Sequence, residues 1–117
     1  MGTDTKDSLY LLSREYLKRY GKIIDDLSEI EGLKRSAIKF LVKVKNHFLG
    51  VWILDWKRNV GTDKIIHIER LIQRSNLSGG FIITNKFSSN ARQLAEQTDS
   101  LILIEKSEIL YHSKGTF

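Results

Sequence analysis

Two side chains in the stretch "WILDWKRNVG", residues 52–61, could do chemistry together: Asp55 and Lys57, two residues apart at the end of an apolar run. If the run is a β-strand, side chains two apart share a face, with Trp56 on the other. A carboxylate is a hard oxygen ligand of the kind that suits Mg²⁺. A neighbouring ammonium can hold an attacking water or neutralise charge on a phosphate. Together they supply part of a metal-assisted phosphodiester hydrolysis site. The plainer alternative is an ion pair on an exposed strand end, worth about 0–1 kcal/mol. The spacing alone leaves both readings open.

The elements around the pair decide where it stands. "TKDSLYLLSREYLKRYGK" carries Leu9, Leu12, Tyr16 and Tyr20 at helical spacing and stops at Gly21. "IIDDLSEIEGLKR" fits a helical turn or a short strand equally. "SAIKFLVKV" then alternates around Ile38, Phe40, Val42 and Val44, and "LGVWILDWK" is nearly continuous in apolar residues. With Asn46 as turn former between them, the two read as a β-hairpin. "VGTDKIIHIERLIQRSN" reads as a helix with Thr62 as its N-cap and Ile65, Ile68, Leu71 and Ile72 inward. "GGFIITN" and "SLILIE" are short buried strands; "SSNARQLAEQ", capped by Ser88 or Ser89, and "KSEILYH", capped by Ser107, are helical. Short apolar strands alternating with helices imply an α/β fold: a mixed central sheet covered by helices on both faces. In such folds, strand ends and their loops hold the chemistry.

Size and composition set the outer bounds. The 117 residues suit a single domain, 1–117, with 41% hydrophobic and 28% charged residues. No Cys is present, so disulfides and thiolate catalysis are excluded. No apolar run approaches a membrane span, and "MGTDTKDSLY" lacks the apolar core of a secretory signal, so the expected location is the cytoplasm. Lys and Arg outnumber Asp and Glu by 19 to 14, a net charge of +5 that draws the chain towards polyanions. Lys39, Lys43 and Lys45 alternate along the first hairpin strand, opposite Phe40, Val42 and Val44; with Arg58 they form a candidate nucleic-acid contact. A solvated outer strand whose lysines block edge pairing fits the same pattern. His47, His67 and His112 have no metal-ligand spacing, and Trp52 and Trp56 read as core. No Walker sequence or dinucleotide fingerprint occurs.

"LDWKRNVG", "GGFIITNKFSSNARQLAEQ" and "LILIEKSEIL", in that order, resemble the Mrr-like branch of the restriction-endonuclease-like nucleases over roughly residues 49–111. The resemblance implies a restriction-endonuclease-like core and Mg²⁺- or Mn²⁺-dependent cleavage of DNA. By position, Asp55 takes the place of a metal-binding acid and Lys57 that of the catalytic lysine. Glu15, on the first helix, is the candidate for a further catalytic carboxylate, with pairing to Arg19 as its alternative. The family also places an acid on the first hairpin strand. Here "RSAIKFLVKVKNHF" has none; Lys39 stands in that region and would repel a cation. Glu29 and Glu31 are the nearest acids upstream, and Glu31 is the candidate second metal ligand. Three functions stay open: a metal-dependent deoxyribonuclease, a non-catalytic DNA-binding or assembly module that retains the nuclease fold, and an α/β domain in which Asp55 and Lys57 simply pair. Cutting both strands of a duplex takes two active sites, which suits a twofold homodimer.

Overall fold

The computed structural model describes residues 4–28, 30 and 37–115. Its element order is α1 (Asp4–Leu17), β1 (Lys22–Ile24), β2 (Phe40–Val44), β3 (His47–Leu54), α2 (Thr62–Arg74), β4 (Gly79–Thr84), α3 (Ser89–Glu96), β5 (Leu101–Glu105) and α4 (Lys106–Gly115). The five strands form one sheet in the order β1-β2-β3-β4-β5. The first three pair antiparallel, the last three parallel. This is the mixed, helix-flanked α/β sheet expected from the sequence, with the restriction-endonuclease-like element order.

Strand alternation divides the apolar residues between two cores, one on each sheet face. On one side Leu41, Trp52, Leu54 and Ile82 meet Ile65, Ile68 and Ile72 of α2 and Ala91 of α3. On the other, Phe40, Val42, Val51, Phe81, Ile83 and Ile104 meet Leu9 and Leu17 of α1 and Ile109 of α4. Every residue of β4 is buried, which is why that strand reads as an unbroken apolar run. Gly80 is small because Trp52 leaves no room: a Cβ there would lie 2.6 Å from Cζ3 of the Trp52 ring. Arg14 ties α1 to the segment after β1 through two bonds to Asp25, of 2.6 and 3.2 Å. Its guanidinium carbon also lies 5.1 Å from the Phe40 ring centre. These bonds from Arg14 hold the Asp25 carboxyl below its usual range.

Several expectations are corrected. The stretch "IIDDLSEIEGLKR", open between helical turn and strand, begins inside strand β1, at the sheet edge. The first helix ends at Leu17; Tyr20 lies beyond it, with its ring centre 5.0 Å from that of Phe81. Thr62 is the first residue of α2, and Gly61, which has no capping side chain, is the N-cap. Ser107 does not cap α4: the Glu105 N–H donates to Oε1 of Glu108 at 3.0 Å instead. The lysine face of the hairpin is interrupted. Leu41 lies between Lys39 and Lys43 and is fully buried in the α2 side of the core, so β2 is covered on both faces. Lys39 precedes the strand and Lys45 sits in the turn, with φ 57°. β1, not β2, is the outer strand.

Candidate nucleic-acid interface

The parallel strands β3, β4 and β5 end together: Leu54 is in register with Thr84, and Thr84 with Glu105. Thr84 Oγ1 donates to the Leu54 carbonyl at 2.6 Å, closing the end of the sheet. Asp55 follows immediately and is half-buried. Asn85 stands beside it at the end of β4. Its amide nitrogen donates to Asp55 Oδ1 at 3.1 Å and to the Trp56 carbonyl at 2.6 Å. This one amide therefore fixes both the carboxylate and the backbone that leads to Lys57.

Lys57 is exposed, three residues past the end of β3. No ion pair joins it to Asp55 among the described residues. It lines an open hollow of about 380 Å³ with Trp56 and Arg58. Lys57 thus faces an open surface just past the strand end, with the half-buried Asp55 two residues before it. Trp56 is only half-buried. It packs on the α2-side core and carries Arg58 at 4.7 Å and Lys64 at 5.6 Å from its ring centre.

The loop carrying these groups is stapled to the loop after β4. Val60 forms an isolated parallel bridge with Phe87. Val60 N–H donates to the Lys86 carbonyl at 2.9 Å, and Ser88 N–H to the Val60 carbonyl at 3.0 Å. Behind it, Glu105 accepts from the Phe87 N–H at 2.9 Å and from Arg92 at 2.7 Å. Burial pushes the Glu105 carboxyl up, but the Phe87 N–H and the Arg92 guanidinium outweigh it and hold the group below its ordinary value. Glu105 is thus committed to holding the loop.

The other expected site residues lie apart from this cluster or outside the described residues. Glu15 is exposed and pairs with Lys18 at 2.7 Å. Glu29, Glu31 and Ser36 lie outside the described residues. Lys39, Lys43 and Lys45 are exposed. Lys43 Nζ lies 5.6 Å from the Phe48 ring centre. Sequence reasoning missed Asn85 and Lys64. Asn85 meets Asp55 across 30 positions, a contact no local pattern reports. For Lys64 a signal existed, a cation in the first turn of a helix directly after the Arg58 loop.

Comparison with known proteins agrees with this architecture. The Mrr_cat family model, described as restriction endonuclease, matches residues 18–112. The chain belongs to the Mrr_cat restriction endonuclease family. No curated protein and no solved structure gave a match. The fold family implies a divalent metal, which needs several oxygen donors converging on one point. Among the described residues, no group of three His, Cys, Asp or Glu side chains comes together. Asp55 belongs to no such group among the described residues, its Oδ1 accepts from Asn85, and Lys39 stands where an acid is expected. The described residues alone do not supply the donors such an ion needs, and the candidate Glu31 lies outside them. Nor is any described helix long and apolar enough to cross a membrane.

Proposed function

We propose that this member of the restriction endonuclease family is a DNA-binding module that retains the nuclease fold and engages phosphates beside the end of β3 without cutting them. One observation supports this most directly. Among the described residues, the strand end that should carry a multi-carboxylate centre offers an amide-bound Asp55 in no cluster of acids, beside the exposed cations Lys57 and Arg58. Cations near a phosphate backbone release counterions, and binding of this kind weakens as salt rises. Asp55 opposes the same phosphates. Asp55→Ala is therefore expected to strengthen DNA binding in the absence of divalent ions, and Lys57→Ala to weaken it.

A second reading, Mg²⁺- or Mn²⁺-dependent deoxyribonuclease, is favoured by the acid-x-lysine order itself at an open strand end. It requires donors beyond the described residues, with Glu31 as the candidate from the sequence. Incubation of supercoiled plasmid with Mg²⁺ or Mn²⁺ separates the two. Retarded but uncut plasmid, for wild type and Asp55→Ala alike, supports the binding module. Nicking by wild type that is lost in both Asp55→Ala and Lys57→Ala establishes the nuclease. Absence of salt-sensitive affinity for DNA removes both.

A further inference from the structure

A second open hollow, of about 520 Å³, adjoins the one beside Lys57 and shares Trp56 and Arg58 with it. It runs past Gly61 to Lys64 in the first turn of α2. At Gly61 a Cβ would meet nothing within 4 Å, so the floor of the hollow is clear. Lys57, Arg58 and Lys64 therefore follow one another along a continuous depression. Arg58 and Lys64 both lie within 6 Å of one indole centre, which draws two like charges into one place. Among the described residues, Asp63 is the acid that lines this depression.

We infer that this depression is a phosphodiester track: consecutive phosphates of one nucleic-acid strand lie over Trp56, held by Arg58 and Lys64, with Lys57 at its start. The inference rests on the DNA-binding reading and adds the path of the strand. A base stacked on Trp56 fits less well, because the ring is packed on the core and already carries the Arg58 guanidinium. The track is built before ligand arrives. Asn85 holds the Trp56 carbonyl, and the Val60–Phe87 bridge holds the far end of the loop, so little ordering is left to oppose binding.

The test uses the intrinsic fluorescence of the full chain, titrated with a short duplex oligonucleotide over a range of salt. Trp52 is 1% exposed, so a change in emission reports on Trp56, and Trp56→Phe should abolish it. Arg58→Gln and Lys64→Gln should each weaken binding several-fold and lower the slope of log affinity against log salt by about one. Arg70→Gln, an equal loss of charge on the exposed part of α2, should leave the slope unchanged. Thermal unfolding of each variant confirms that it is folded. Oligonucleotide binding with no change in emission, and with slopes matching Arg70→Gln, overturns the track and leaves the DNA reading intact. Poly-glutamate binding as tightly as DNA overturns it in favour of a general polyanion surface. No oligonucleotide binding removes both proposals.

Discussion

At the scale of single residues, the site is organised by hydrogen bonds to two carboxylates of opposite character. Asp55 is half-buried beside exposed cations, and one amide sets its orientation. Glu105, two strands away, is spent on structure. Its folded carboxyl is held below the ordinary value of 4.5. A lowered folded value stabilises the fold at pH above the unfolded value, and that contribution is lost as pH falls through the folded one. Acid should therefore destabilise the wild type more than Glu105→Gln, with the two melting curves converging as pH drops below about 4.5. At neutral pH the same substitution should cost about 1–2 kcal/mol, since a charge-assisted bond to Phe87 N–H is weakened while Arg92 is partly screened by solvent. Denaturant unfolding across this pH range measures both. Equal sensitivity to acid in the two proteins would assign the loss to other carboxylates, of which Asp25 is the nearest candidate by direction of shift.

At the scale of elements, helix starts separate what sequence could report from what it could not. Ser88 was legible as a cap because its side chain acts within three residues, and its Oγ accepts from the Ala91 N–H at 3.1 Å. Thr62 carried the same signature but begins α2 one residue too late to cap it. Ser88→Ala should therefore cost about 1 kcal/mol and Thr62→Ala much less, a contrast that thermal unfolding resolves. The same division runs through the rest of the chain. Apolar periodicity located β3, α2, β4, α3 and β5, because burial there follows the 2- and 3.6-residue repeats. "IIDDLSEIEGLKR" stays open in the sequence because the three residues of β1 are too few to show a period. The lysine alternation does not report the burial of Leu41 between them; the unbroken "FLV" does, because such a run marks a strand buried on both faces. Asp55 and Lys57 were legible as a strand-end pair. The amide, the neighbouring loop and the stacked cations that give the pair its setting are all brought in by tertiary structure.

At the scale of the whole molecule, the sheet is a wall between two cores that draw on different parts of the chain. The α2–α3 side is built by the crossovers between the parallel strands, and the α1–α4 side by helices near the two ends of the sequence. Residues 18–112 carry the family match, yet α1 ends at Leu17. The boundary of kinship and the boundary of folding therefore differ. Each large apolar side chain returned to water costs about 1.5–3 kcal/mol, and a whole domain has about 5–15 kcal/mol to lose. A fragment beginning at residue 18 would strip Leu9 and Leu17 from Phe40, Val42, Val51, Phe81 and Ile83. It should bind hydrophobic dyes and fail to melt cooperatively, where the 117-residue chain should do neither. Trimming this protein to the outline of its relatives would remove a plank from its own hull.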